Sequence, residues 1–247
     1  MSPINSSISH SFATATTFPK IVTNGLIFHY DAGQQNSYNG IGTIWRDISG
    51  FGNPTDGTLT NGPTFSSANG GILVFDGTDT YIRASNSKLI HRTANWTYTF
   101  TINFNTLTQL YEGFFESGRT SGDFFLMRYA NFGGGSQRII LISRTSSTTF
   151  EKFVSFIPST GVWYHLTFVK TGSSVDFYRN GVYSSTISDW NADINPSTTS
   201  EFIYIANEQQ DSRPLKGKMA NFIVYNRAIT AAEVKQNFDA IRGRFGI

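Results

Sequence analysis

Nine consecutive residues, Trp96-Thr97-Tyr98-Thr99-Phe100-Thr101-Ile102-Asn103-Phe104, alternate a large side chain with a short polar one and commit this part of the chain to an extended strand. Side chains on a strand point alternately to its two faces, so the pattern predicts one face buried and the other wet. Shorter strand patterns recur at 26–30, 72–75, 81–84, 112–117, 123–129, 138–144, 150–157 and 163–170, with the last near 202–206 and 218–225. Gly, Asn, Ser, Thr and Pro clusters bound them. Asp76-Gly77-Thr78-Asp79-Thr80 reads as a short link between adjacent antiparallel strands. Residues 175–179 and 182–186 form the clearest hairpin, because the Asn180-Gly181 pair between them supplies the positive backbone angles of a type I′ turn. No period of 20–50 residues recurs, which excludes a propeller or solenoid. The expected fold is therefore all-β, an antiparallel sandwich, and 247 residues suit one such domain.

One helix is marked near the end. Thr230 can cap it, Glu233 completes a capping box, Val234, Phe238 and Ile241 share a face, and Gly243 ends it. That stripe is expected against the sandwich edge or a neighbouring subunit. Residues 1–20 show neither period and read as a flexible N-terminal arm, leaving 21–247 as the domain. The formal net charge is only +2 and Lys and Arg are dispersed, so the footprint of a nucleic-acid binder is missing. With no cysteine, disulfides, thiolate-bound zinc and a thiol nucleophile are all excluded. The start lacks a signal-peptide pattern and no window is apolar enough to span a membrane, so no membrane insertion is expected.

Four segments then resemble the laminin G-like family of concanavalin A-like jelly rolls. Trp45-Arg46-Asp47-Ile48-Ser49-Gly50-Phe51-Gly52-Asn53, followed by Gly57-Thr58-Leu59, is similar to the family's W-x-D-x-S-G-x-G-N loop and next strand. Phe75-Asp76-Gly77 with Tyr81-Ile82 resembles its F-D-G strand pair, and Trp163-Tyr164-His165 with the Asn180-Gly181 hairpin resembles its W-x-H region. The run from Leu215 to Ile229 and then Ala232-Glu233-Val234 matches its closing strand and helix. The resemblance spans about residues 25–245 in order and spacing. The opening Gly25-Leu26-Ile27-Phe28-His29-Tyr30-Asp31-Ala32-Gly33 and the ending Arg242-Gly243-Arg244-Phe245-Gly246-Ile247 look like versions found in tailed-bacteriophage structural proteins.

What the resemblance implies is a jelly-roll sandwich with one short C-terminal helix, acting as a non-catalytic structural or interaction module. Its expected place is a virion surface, outside the cell, as a head-decoration or fibre protein whose partners are copies of itself, other virion proteins and cell-surface glycans. The alternative is a carbohydrate-binding, lectin-like adhesin. A glycoside hydrolase ranks last. Such enzymes need two carboxyl groups about 5–9.5 Å apart, and the family's E-x-D-x-x-E strand is absent. Glu112 and Glu116 would share a strand face about 13 Å apart.

For sugar binding the candidate is Trp190 with Asp189, Asn191 and Asp193, an aromatic face beside amide and carboxylate groups on a loop, with Tyr38 and Phe51 as lesser candidates. The rival reading has the Trp190 ring packing over the sandwich mouth. Calcium is the one cofactor candidate, through Asp189, Asn191 and Asp193. Ile194 replaces the turn glycine and Ser200 the bidentate Glu of an EF-hand, so turn bracing is the favoured reading there. His29 and His165 read as core histidines, Trp45, Trp96 and Trp163 as core, and Asp31 and Asp47 as braces for the loop through residue 70.

Overall fold

The alternating segments assemble into two facing antiparallel sheets. A computed structural model describes residues 19–52, 54–85, 95–118, 124–144, 148–191, 202–208 and 212–247. The expected arm over 1–20 falls outside it, apart from exposed Pro19 and Lys20. In chain order the strands are β1 (Leu26–Asp31), β2 (Ile44–Trp45), β3 (Gly57–Thr60), β4 (Thr64–Ser66), β5 (Ile72–Asp76), β6 (Tyr81–Ser85), β7 (Trp96–Phe104), β8 (Tyr111–Gly118) and β9 (Phe124–Asn131). There follow β10 (Gln137–Arg144), β11 (Thr149–Ser155), β12 (Trp163–Thr171), β13 (Ser174–Arg179), β14 (Val182–Ile187), β15 (Phe202–Ile205), β16 (Asn207–Glu208), β17 (Arg213–Pro214), β18 (Lys216–Tyr225) and helix α1 (Ala231–Ile241).

The first sheet runs β14-β13-β12-β7-β18-β5-β4, with β1 also on β18, and the second runs β11-β10-β9-β8-β15-β6-β3-β2. Strands β16 and β17 pair only with each other. Between the sheets lies an aromatic core. Tyr98 and Phe115 have ring centroids 4.9 Å apart, Phe100 and Phe222 5.3 Å, and Phe115 stacks on Phe222 at 5.5 Å. Each fully buried ring of this kind contributes about 1.5–3 kcal/mol, which a chain this rich in Phe and Tyr repeats many times over.

Two expectations need correction. Alternation predicts one wet face for strand β7, yet Thr97, Thr99, Thr101 and Asn103 are as buried as the apolar residues between them. The polar face is covered because β7 is a central strand and its outer side lies under the chain's C-terminal segment. Hydroxyl pairing satisfies its threonines: the Thr97 hydroxyl donates to the Arg227 carbonyl at 2.9 Å and accepts from the Ile229 amide at 3.2 Å, Thr99 and Thr167 hydroxyls pair at 3.2 Å, and the Thr101 hydroxyl lies 3.0 Å from His165 Nδ1. Second, β5 and β6 are not paired neighbours. The Asp76–Thr80 link carries the chain from one sheet to the other, since β5 pairs with β18 and β4, and β6 with β15 and β3. The Asp76 carboxylate accepts from the Thr78 amide at 2.8 Å and the Thr80 hydroxyl at 2.9 Å, so the tight link is braced by its own side chain.

Asn180 and Gly181 both have positive φ, 51° and 74°, as a type I′ turn requires. The capping box of α1 forms as well: the Thr230 side chain accepts from the Glu233 amide at 3.2 Å, and Glu233 accepts in return from the Thr230 amide at 2.8 Å. Val234, Phe238 and Ile241 pack onto the outer face of the first sheet, with Asn237 donating to the Tyr225 hydroxyl and accepting from the Val22 amide, both at 2.9 Å. The helix's apolar stripe is thereby consumed within its own chain. Just beyond α1, Arg244 fastens the C-terminal end to the start of the fold. Its Nη1 donates to both carboxylate oxygens of Asp31 at 2.8 and 2.9 Å, its Nη2 to the Gly71 carbonyl at 2.9 Å and its Nε to the Asn69 carbonyl at 2.9 Å. A side chain at position 33 would push Arg244 off Asp31 and meet the main chain, because a Cβ would lie 2.2 Å from Arg244 Nη2 and 2.8 Å from the Gly70 carbonyl oxygen.

Candidate functional site

Trp190 turns inward. Its ring is 1% exposed and packs edge-on to Phe150 at 5.2 Å and Phe125 at 6.1 Å, so it offers no face to a sugar. The physical reason is the gap at the edge of the aromatic core, which the indole fills. Tyr38 is buried too, with its hydroxyl donating to the Gly42 carbonyl at 2.8 Å and its ring edge against Phe65. It braces a loop whose outer side forms a polar cavity of about 260 Å³ lined by Gln35, Asn39, Thr43 and Arg46. Asp189 and Asn191 are exposed and make a tight turn, the Asn191 amide donating to the Asp189 carbonyl at 3.0 Å with Asp189 at φ 56°. Asp193, which belongs to both the sugar and the calcium sets, lies outside the described residues. Among the described residues no group of three or more His, Cys, Asp or Glu is placed to hold a metal ion. Phe51 is 45% exposed. Asp47 braces the long loop as expected, accepting from the amides of His29 at 3.1 Å and Ser49 at 2.9 Å.

Glu112 and Glu116 do not share a face. A register shift between Gly113 and Phe115 inserts one residue, so Glu112 lies opposite core-facing Tyr129 while Glu116 lies opposite Leu126 of the outer cluster. Directly paired residues share a face, which puts the two carboxyls on opposite sides of the sheet. Glu112 accepts from the Lys216 amide at 3.1 Å, and burial pushes its carboxyl up to about 7 against the opposing pull of that hydrogen bond and the Lys216 charge. His165 is wholly buried with its Nδ1 3.0 Å from the Thr101 hydroxyl, and burial pushes it down to about 3. His29 is also lowered by burial, with Asp31 and Asp47 opposing, and lines a cavity of about 460 Å³ with Lys20, Gln34, Ser49 and Arg244.

These two buried groups set opposite pH slopes. The folded state keeps the Glu112 proton up to about pH 7 and the unfolded chain only to 4.5, so the contribution of Glu112 to stability is fully present below 4.5 and is lost as pH rises through 7. The unfolded chain protonates His165 below 6.5 and the folded state only near 3, so stability is lost as pH falls across that window. Glu112→Gln is expected to remove the first slope and to raise stability above pH 7 by about 2–3 kcal/mol. Denaturant midpoints measured at acid, neutral and mildly alkaline pH check this. A variant no more stable than the parent above pH 7 would contradict it.

Sequence reasoning overlooked the outer face of the second sheet. Arg138 on β10 lies opposite Ala130 on β9 and Ser155 on β11, and Ile140 lies opposite Phe153 and Arg128, so these side chains occupy one face with Leu126, Phe124 and Ile142. The Arg138 guanidinium sits 4.2 Å from the Phe153 ring centre and 4.9 Å from that of Phe132. Both rings are roughly half exposed, at 49% and 46%. Phe132 is held at the sheet end by the turn that follows it, where Gly133, Gly134 and Gly135 all have positive φ (74°, 57° and 81°), a run that side-chain-bearing residues resist. The edge of Phe132 meets Tyr111 at 5.8 Å, and Tyr111 in turn lies under the guanidinia of Arg128 at 4.1 Å and Arg213 at 4.3 Å.

Those two arginines meet buried Glu208. Arg128 donates to both its oxygens at 3.1 Å and Arg213 to one at 3.1 Å. The ribbon of β16 and β17 reaches this position because Gly113 has no side chain; a Cβ there would lie 2.4 Å from the Glu208 amide nitrogen. The result is a continuous row of rings and guanidinia across the outer face. Its signal in the sequence was the aromatic before the triple glycine, Phe132-Gly133-Gly134-Gly135, followed by Arg138.

A family model described as the concanavalin A-like lectin/glucanases superfamily, of laminin G type, matches residues 76–235, well over half of the chain. No curated protein matches. Among solved structures, domain 4 of the extracellular GH43 arabinanase AbnA from Geobacillus stearothermophilus, in complex with arabinotriose, is similar at TM-score 0.66 and 20% identity, covering 86% of this chain and 97% of that one. The binding domain of botulinum neurotoxin serotype G is similar at 0.64 and 14%, and that of Paraclostridial mosquitocidal protein 1 at 0.63 and 15%. The coverage is 86% and 87% of this chain but 50% and 52% of those chains, so the likeness spans about half of each toxin domain. At such identities the structural likeness is one of fold, and it agrees with the two-sheet sandwich described above. Together with the matched family model, it places this chain in the concanavalin A-like lectin/glucanase superfamily, in its laminin G branch.

Proposed function

We propose that this chain is a non-catalytic carbohydrate-binding module and that sugars lie on the outer face of the second sheet. The observation that carries the reading is the pair of half-exposed rings, Phe132 and Phe153, with Arg138 between them. A sugar ring presents an apolar C–H face that stacks on an aromatic side chain, and a guanidinium beside it supplies directional donors. The superfamily match supports this reading, as does the arabinanase domain that binds arabinotriose. Glu112 and Glu116, on opposite faces, favour binding over hydrolysis.

Display on a virion or other surface is compatible with such a module, but the family match and the neighbours give that setting no support. Self-assembly through α1 loses its rationale, since the helix buries its stripe on its own sheet. The lectin-like reading therefore comes first.

A glycan array probed with the native chain, Phe132→Ala and Phe153→Ala tests it. Loss of either ring is expected to weaken binding about tenfold or more. An array on which the native chain binds nothing, or binding indifferent to both substitutions, would overturn the proposal.

A further inference from the structure

We infer that the oligosaccharide recognised on this face is acidic, carrying a carboxylate or sulfate that Arg138 reads; the inference rests on the carbohydrate-binding reading above. Among the described residues the Arg138 guanidinium has no carboxylate partner, and its contacts are the two phenyl rings. Contact with two phenyl rings engages none of the guanidinium N–H groups in a hydrogen bond to oxygen, and paired N–H donors of this kind match the paired oxygens of a carboxylate or sulfate.

The chemistry around it is one-sided. Residues directly opposite Arg138 on its face are Ala130 and Ser155, so no side-chain carboxylate or amide stands across from it. A neutral sugar offers hydroxyls that donate as well as accept, and a site built of donors leaves the donating half unmatched. An anion only accepts. The wider face has the same bias: its described strands and the attached ribbon carry Arg83, Arg128, Arg138, Arg144 and Arg213 against Glu116, Glu151 and Glu208. Arg144 adds a further exposed guanidinium at the far end of β10, 6.0 Å from the Phe124 ring.

The test titrates the native chain, Arg138→Gln and Arg138→Lys with three probes: trigalacturonate for carboxylate, a heparin-derived tetrasaccharide for sulfate, and arabinotriose as the neutral control. Each is measured at low and at raised salt. The expected result is that an anionic probe binds at least about tenfold more tightly than arabinotriose and weakens with salt. Arg138→Gln loses that advantage about tenfold, Arg138→Lys retains part of it, and all three proteins keep the same thermal midpoint. Which anionic probe wins tells carboxylate from sulfate. If neutral oligosaccharides bind as well as the anionic ones, or Arg138→Gln changes nothing, acid recognition is overturned while the carbohydrate-binding reading stands. If no oligosaccharide binds in any arm or on the array, both fall.

Discussion

Trp190→Ala is expected to lower stability by about 3–5 kcal/mol and to leave oligosaccharide affinity unchanged while the protein remains folded. The ring is wedged against Phe125 and Phe150 at the margin of the core, so removing it opens a cavity between the sheets and leaves the outer face intact. Chemical denaturation gives the first quantity and a binding titration well below the unfolding midpoint gives the second. From the sequence alone the same substitution reads as a test of sugar binding. A variant that binds poorly yet unfolds like the parent would restore that earlier reading and remove Trp190 from the core.

Arg244→Ala is expected to cost about 3–5 kcal/mol, because Asp31 is 3% exposed and would be left as a buried carboxylate without its cation. The Gly71 and Asn69 carbonyls would lose their donors at the same time. For a chain of this size the thermal midpoint should fall by about 10 °C. Arg244→Lys should recover little, since one ammonium cannot reproduce the bidentate grip on Asp31 while also reaching both carbonyls. A thermal scan of the two variants checks this, and a lysine variant as stable as the parent would show that charge alone is what matters there.

Much of the fold was legible because its determinants are local. Alternation placed every long described strand within a residue or two, Asn180-Gly181 set the hairpin, and Thr230 with Glu233 set the start of the helix. What escaped was decided by contacts distant in sequence. A tryptophan in a turn looks the same whether its ring faces water or fills a gap beside Phe125, sixty-five positions away. The link after Phe75 looks like a hairpin, and only the separate partners of β5 and β6 reveal a crossing between sheets. At Glu112 and Glu116, one extra residue in β8 reversed the alternation, and nothing in Gly113-Phe114-Phe115 announces it.

The candidate site escaped for a related reason. Phe132, Arg138 and Phe153 lie on a turn and two strands, and only the pairing of β9, β10 and β11 brings them together. Their residue types are ordinary for exposed strand positions. The half-exposure of two rings around one guanidinium is a property of the assembled sheet.

Amide chemical-shift mapping by NMR, with the oligosaccharide that binds best on the array, addresses the site most directly. Titration should move the signals of Tyr111, Phe132, Arg138 and Phe153 together, with one common affinity. Shifts gathered instead around Gln35 to Arg46 or at Asp189 to Asn191, with the outer face of the second sheet silent, would contradict the account.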